Sequence, residues 1–389
     1  MRWMMVAGAL ALAGCAAGPG APINAGIPLT AANSDALRQA GATMLFWSQV
    51  QRDANFPAME RSFPGHLVRA RGQVHPLPDG VPLPVDGGTV EVFMAAQNVA
   101  GLIVVQDGKV RLEKYARGYS RDGRWTSFSV AKSFTSTLVG AAIRDGYIRS
   151  VDDPVTRYIP ELAGSGYDGV TVAQLLTMTS GVKWNENYTD PHSDVARMYA
   201  AAPPAGVDPT VAYMRTLPRD TAPGSKWVYK TGETNLIGVL VAKATHKPLS
   251  TYLEEKIWRP YGMEHDAFWM IDPSRQEIGG CCLSVSLRYY ARMGELVLGG
   301  GKGIVPDDWF HEATSAKVTI APGYGYGYQW WTYPDGMFGA VGIFGQSILI
   351  EPAHHLVIAM SSAWPRASDR DLSAARAAFQ KTLIKAAVQ

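Results

Sequence analysis

Two periodicities alternate along the chain. Gly101-Leu102-Ile103-Val104-Val105 and Val110-Arg111-Leu112-Glu113-Lys114-Tyr115 are β-rich runs separated by Asp107-Gly108, a pair suited to the positive backbone angles of a tight hairpin. Downstream, Ala131, Phe134, Thr135, Leu138, Val139 and Ala142 recur at helical spacing, and Asp145-Gly146 supplies the stop. Val90, Phe93 and Met94 predict a short helix over 90–97 ahead of the hairpin. Leu236, Ile237, Leu240, Val241 and Ala244 predict another from about Thr234, and a further helix is expected over 287–298. The segment 324–331 alternates glycine with aromatic residues, and its tyrosines at 324, 326 and 328 read as strand packing. Strands are expected over 338–343, 347–351 and 356–361, with turns at Pro334-Asp335-Gly336 and Pro352-Ala353-His354-His355, and a helix over 372–386 closes the chain. Between these parts, about 150–225 is rich in Pro and Gly and reads as short helices and loops. A hairpin, helices, more hairpins and a last helix imply an α+β fold, an antiparallel sheet flanked by helices with an α-rich lobe inserted beside it.

The N-terminal part divides differently. Residues 31–88 form an arm, and Trp47, Phe56, Met59 and Phe63 suggest that it packs on the body that begins near Thr89; its last part, 79–88, reads as a Pro/Gly-rich linker. Residues 16–29 have the Ala, Gly and Pro content of a tether. Before them, Arg2 leads an apolar run from Trp3 to Ala17 that is too short to span a membrane. It contains Leu12-Ala13-Gly14-Cys15, which resembles the lipobox of bacterial lipoproteins. That likeness implies cleavage before Cys15, acylation of the cysteine, and an exported protein anchored by lipid in the cell envelope, facing the periplasm. The alternatives are an ordinary secretory signal cut near Ala16-Ala17 and an apolar start with no sorting role. The expected organisation is a signal segment at 1–15, tether and arm at 16–88, and a catalytic domain at 89–389.

The chemistry sits at the start of the central helix. Ser127-Phe128-Ser129-Val130-Ala131-Lys132-Ser133 places Lys132 three residues after Ser129, on the same helix face. A serine hydroxyl is a poor nucleophile at neutral pH and needs an adjacent base. A lysine kept partly neutral by burial can be that base. Near a helix start, free backbone N–H groups also point at whatever reacts with the serine. S-x-x-K recurs at Ser180-Gly181-Val182-Lys183, but there it follows the helix end expected at Leu175-Leu176-Thr177-Met178-Thr179, and Gly181 breaks the shared face. The 389 residues are 47% hydrophobic, which allows a large core, and a net charge of +2 with no long basic run gives no reason to expect nucleic acid. Neither G-x-S-x-G nor H-E-x-x-H occurs, and no metal or cofactor is implied. His192, between Asp190 and Asp194, reads as a solvated loop histidine. Cys281 and Cys282 are adjacent; neighbours pair only through a tight ring, so two unlinked thiols packed as small apolar groups are expected.

Ser129-Val130-Ala131-Lys132, the hairpin before it, Leu175 through Gly181, Tyr229 and the terminal strands together resemble the serine β-lactamase-related hydrolases, most of all the 6-aminohexanoate-dimer hydrolases and their esterase relatives. The more specific matches are Trp125-Thr126-Ser127-Phe128-Ser129 and Trp184-Asn185-Glu186-Asn187-Tyr188-Thr189-Asp190-Pro191. The likeness runs over nearly everything from Trp47 onward. It implies a β-lactamase/penicillin-binding-protein-like fold, with Ser129 as nucleophile and Lys132 as its base partner. Tyr229 matches the tyrosine of the family's Tyr-x-Asn/Ser motif, with Thr231 at the third place, and Tyr188 matches a tyrosine that sits over the substrate and helps the leaving nitrogen. A tyrosine near a lysine can lose its proton more readily, and whether Lys132 or Tyr229 is the resting base stays open.

Lys230-Thr231-Gly232 is a literal K-T-G, but a helical pattern follows it where the family has a late sheet strand. The third element is therefore placed at Ile343-Phe344-Gly345-Gln346. The N–H of Gln346, beside Gly345, and that of Ser129 are the expected oxyanion hole. No cation or hydroxyl stands at that place to grip a β-lactam carboxylate, and S-D-N is absent. The resemblance thus implies a serine hydrolase that cleaves small-molecule esters or linear amides through an acyl-enzyme. The alternatives are a β-lactamase or D,D-peptidase, and a binding or sensor module that is acylated without turnover.

Overall fold

The computed structural model describes residues 22–200, 202–204 and 206–389; the lipobox and Cys15 lie outside them. The described chain begins with β1 (Ile23–Gly26), α1 (Ser34–Thr43), α2 (Gln49–Asn55) and β2 (Pro64–Val68). The first half of the body follows as α3 (Gly87–Ala96), β3 (Val99–Gln106), β4 (Lys109–Tyr115), β5 (Trp125–Thr126) and α4 (Ala131–Arg144). The lobe that comes next holds α5 (Val172–Leu176), α6 (Asp194–Ala200) and α7 (Pro209–Met214), and α8 (Thr231–Thr245), α9 (Leu249–Leu253), β6 (Ala267–Met270) and β7 (Leu283–Val285) lead out of it. The last third comprises α10 (Leu287–Leu298), α11 (Trp309–Thr314), β8 (Val318–Ala321), β9 (Tyr324–Tyr326), β10 (Trp331–Thr332), β11 (Phe338–Val341), β12 (Ser347–Glu351), β13 (Leu356–Ser362) and α12 (Arg370–Ala387).

The main sheet has the order β4-β3-β13-β12-β11-β10-β9-β8 and is antiparallel throughout. Its first hairpin forms as expected, because Asp107 and Gly108 take φ of 50° and 70° and let Gln106 pair with Lys109. β3 reads as a continuous apolar run because both of its faces are covered. Ile103 and Val105 join the inner core with Phe134 and Leu138 of α4, Leu236 and Leu240 of α8, and Leu287 of α10. Leu102 and Val104 join an outer cluster closed by Val90 and Met94 of α3 and by Phe379 and Leu383 of α12. The rings of Phe93 and Phe379 stack at 3.8 Å and tie those two helices together. α4 is buried on every side from Ala131 to Ala142, so it has an apolar stripe without an exposed face.

The N-terminal part is woven into the body. β1 lies within the stretch expected to be a tether; it pairs with β2, Ile23 opposite Leu67, at a range that local composition does not reveal. The two continue a second antiparallel sheet in the order β1-β2-β6-β7-β5, which ends beside the reactive segment. The arm packs inward as its aromatic residues suggested: Phe56, Met59 and Phe63 are buried. The linker runs along the free edge of β4, with Gly80 N–H donating to Val110 O at 2.8 Å and Leu83 N–H to Arg111 O at 2.9 Å.

Three further expectations change. α8 begins at Thr231 rather than near Thr234. The 324–331 strand is two short strands, because Gln329 takes φ of 65° and turns into the core, where its amide donates to Leu176 O at 2.7 Å and accepts from Thr234 Oγ1 at 2.6 Å. Cys281 and Cys282 form a disulfide rather than two free thiols. Cys282 has φ of 67°, and its carbonyl and the next N–H are pinned by Met270 and Ser127, which holds the tight turn that brings the sulfurs together.

Candidate active site

The reactive turn is fixed before its chemistry begins. Ser127 N–H donates to Leu283 O at 3.1 Å, and Leu283 N–H donates back to Ser127 Oγ at 3.0 Å, which fastens the segment to β7. Phe128 then takes φ of 43°, a costly angle for a residue with a side chain. Its buried ring offsets that cost by packing edge-on to Phe56 at 5.0 Å and against Phe344 at 5.1 Å. Ser129 follows, half-buried, in the 3-10 turn that leads into α4, so its N–H lies ahead of the helix's own hydrogen-bond ladder.

Lys132 stands one turn further on and is 1% exposed. Its Nζ is 3.0 Å from Ser129 Oγ, 3.1 Å from Thr231 Oγ1 and 2.8 Å from Gly280 O, three acceptors for the three protons of an ammonium. Burial pulls its pKa down to about 8, and the carboxylate of Glu186 works against that shift. Gly280 is set by Asn235 of α8, whose Oδ1 accepts its N–H at 2.8 Å; a Cβ at this glycine would lie 2.9 Å from that same oxygen.

Glu186 was legible only as part of a matching string, and the structure makes it the hub of the site. It accepts the Thr231 N–H at 2.9 Å, the Tyr188 hydroxyl at 2.8 Å, the Thr231 hydroxyl and the Trp184 indole N–H. Tyr229 places its ring 5.2 Å from Lys132 Nζ and stacks on Trp331 at 5.7 Å. Burial first, and then Glu186, push the Tyr229 pKa well above the ordinary phenol range, and the Ser129 hydroxyl opposes only part of this. Burial and Glu186 do the same to Tyr188. The expectation that a nearby lysine would ease proton loss from Tyr229 is not met, since burial and then Glu186 raise its pKa and the Ser129 hydroxyl is what opposes them. Burial thus moves the two groups apart, bringing the Lys132 amine down to about 8 and pushing the Tyr229 phenol up.

The two decoys separate cleanly. Lys230 and Gly232 begin a helix rather than a strand, and Lys230 is buried 3.5 Å from Glu233. Ser180 donates to the same Glu233, Gly181 has φ of 76°, and Lys183 is exposed, so the second S-x-x-K pair never meets. His192 is exposed. Among the described residues, no group of three or more His, Cys, Asp or Glu could hold a metal ion.

The far wall differs from expectation. Ser129, Glu186, Tyr188 and Tyr229 line an open cleft of about 260 Å³ together with Trp331, Val341, Gly342 and Ile343. Gln346 is fully buried, its amide clamped on Ser362 N–H and O at 3.0 and 2.7 Å, and Gly345 is backed by the Trp364 indole. Neither Gly345 nor Gln346 lines the cleft. The 3-10 turn after β11 carries them behind the wall and leaves the half-buried Ile343 in it. The Ile343–Gln346 turn itself holds no cation or hydroxyl, as expected, but α12 brings Ser373 and Arg376 to the same cleft from elsewhere. The periodicity of α12 predicted a helix, but nothing local marked which residues would face a site more than two hundred residues upstream.

A Beta-lactamase family profile matches residues 88–382. The 6-aminohexanoate-dimer hydrolase of Paenarthrobacter ureafaciens is 32% identical over 291 residues, covering 68% of this chain and 72% of that protein. Among solved structures, one assigned to a 6-aminohexanoate-dimer hydrolase of Bacillus anthracis superposes with a TM-score of 0.75 at 22% identity, covering 85% of this chain and 93% of the other. EstCE1, a hydrolase with promiscuous acyltransferase activity, superposes with a TM-score of 0.61 at 15% identity, covering 78% and 97%. With the Ser129–Lys132 pair at the head of a buried helix and the antiparallel sheet beside it, this chain belongs to the Beta-lactamase family and is a hydrolytic enzyme.

Proposed function

We propose that this hydrolase cleaves carboxylic esters or linear amides, of the 6-aminohexanoate-oligomer type, through an acyl-enzyme on Ser129. The observation that carries the reading is the buried Lys132 Nζ, 3.0 Å from Ser129 Oγ with its pKa drawn down to about 8. In its neutral form it takes the serine proton as Oγ attacks the carbonyl carbon. The N–H of Ser129 and that of Ile343, in the place first given to Gln346, receive the oxyanion. Tyr229 holds a proton for the departing oxygen or nitrogen, and Tyr188, oriented by Glu186, stands over the leaving group. Water then attacks the ester on Ser129 with the same groups in reverse. The relative named for an amide dimer supports the substrate class. The competing substrate is a β-lactam, and nitrocefin hydrolysed faster than any linear ester or amide would overturn the assignment. We also propose that Cys15 carries a lipid anchor; a Cys15→Ala chain made in a bacterial host is then found in the soluble fraction, and persistent membrane attachment would argue against it.

The direct test removes each partner. Ser129→Ala and Lys132→Ala are each expected to lower hydrolysis of short-chain 4-nitrophenyl esters by at least about a thousandfold while leaving the circular dichroism spectrum intact. Full activity in either folded variant would exclude this site.

The pH profile follows from Lys132. It acts as base only when neutral, so kcat/KM should rise with pH through about 8 to a plateau. Glu186 stabilises the ammonium form, so Glu186→Gln should move this rising limb to lower pH. A limb that stays in place or moves upward would mean that another group titrates.

Tyr229→Phe separates leaving groups. A nitrophenolate departs without a proton, whereas an amine must be protonated as its bond breaks. The variant should lose about a hundredfold or more on a linear amide and clearly less on the activated ester. Equal losses would confine Tyr229 to a structural or basic role.

A further inference from the structure

We propose that Arg376 makes this hydrolase selective for substrates that carry a carboxylate. This rests on the reading that the cleft around Ser129 is where the substrate lies. Arg376 reaches that cleft from α12, one turn after Ser373, while Ser129, Glu186 and Tyr229 line it from other elements. Its Nη1 is buried and has no hydrogen-bond partner among the described residues. Its guanidinium carbon lies 4.9 Å over the Trp364 ring, which fixes the plane of the fork without satisfying its donors.

Two other buried arginines, Arg288 and Arg292, are held by carboxylates, although Arg292 Nε and Arg52 Nε are also buried without a partner. Arg288 pairs with Glu113 at 2.6 Å, and Arg292 pairs with Glu264 at 2.5 Å. For Arg376, burial lowers the pKa, and the one opposing charge is the Tyr333 phenol rather than a carboxylate. Glu186, the carboxylate of the cleft, is already committed to Thr231, Tyr188 and Trp184. Arg376 is half-buried as a whole, but a buried guanidinium nitrogen without an acceptor is costly to keep. A carboxylate entering the cleft would meet a planar fork that matches it bidentately, with the Ser373 hydroxyl one turn away. α12 can hold the cation there because Phe379 and Leu383, further along the same helix, are anchored in the outer core.

The test compares paired esters that differ in one charge. On the acyl side the pair is 4-nitrophenyl hydrogen adipate and 4-nitrophenyl hexanoate; on the leaving side it is 4-acetoxybenzoate and 4-methylphenyl acetate. At least one pair should show a preference for the carboxylate of about tenfold or more in kcat/KM, expressed mainly in KM. Arg376→Gln should bring that ratio close to one, and Arg376→Lys should retain part of it. No preference on either pair, or a preference that survives in Arg376→Gln, would overturn the proposal while leaving the Ser129 reading intact. If the wild type turned over none of the four esters, the Ser129 reading would fail instead. The proposal would then be decided by saturation-transfer NMR of adipate. Binding that is present in the wild type and lost in Arg376→Gln supports it; equal signals, or none, overturn it.

Discussion

A lysine amine taken out of water and surrounded by a serine, a threonine and one backbone carbonyl is the constraint on which the rest of this molecule is arranged. Lys132 makes bonds of 3.0, 3.1 and 2.8 Å to Ser129, Thr231 and Gly280, which belong to the 3-10 turn ahead of α4, the start of α8 and the loop before β7. No carboxylate touches it directly; Glu186 acts through Thr231. That distance matters. A direct ion pair would lock the amine as ammonium, whereas burial alone would leave too little charge to hold its neighbours in place. The balance leaves an amine whose pKa is drawn down to about 8, where a general base can work.

The two sheets divide the labour around that amine. The small sheet carries the reactive turn on its edge through β5 and β7 and recruits the N-terminal arm to brace it, with Phe56 against Phe128 and Phe344. The main sheet delivers the far wall of the cleft at the end of β11 and packs α12 on its outer face. The α-rich lobe brings Glu186 and Tyr188 from the third side. The far wall lies outside the three bonds that hold Lys132 and can vary without breaking them, which fits a fold shared by relatives with different names.

What the sequence disclosed was local. Ser129 and Lys132 meet because three residues on a helix always share a face, and Asp107-Gly108 makes a hairpin because both positions accept positive φ. The split of 324–331 at Gln329 has no local mark, because a buried glutamine paired with Leu176 and Thr234 overrides strand alternation. β1, the hub role of Glu186, the retreat of Gln346 behind the wall and the arrival of Arg376 all depend on contacts between distant segments, for which a single chain carries no periodic mark. The Cys281–Cys282 disulfide escaped because the adjacent pairing depends on the φ of 67° at Cys282, which neighbouring strands impose.

Acylation of Ser129 can be read by intact-mass spectrometry of the protein quenched during turnover of a linear ester, followed by peptide mapping. A single transient acyl group, located on Ser129 and lost with time as product forms, is expected. An enzyme that turns over the ester with no covalent adduct, or with the acyl group on another residue, would contradict it.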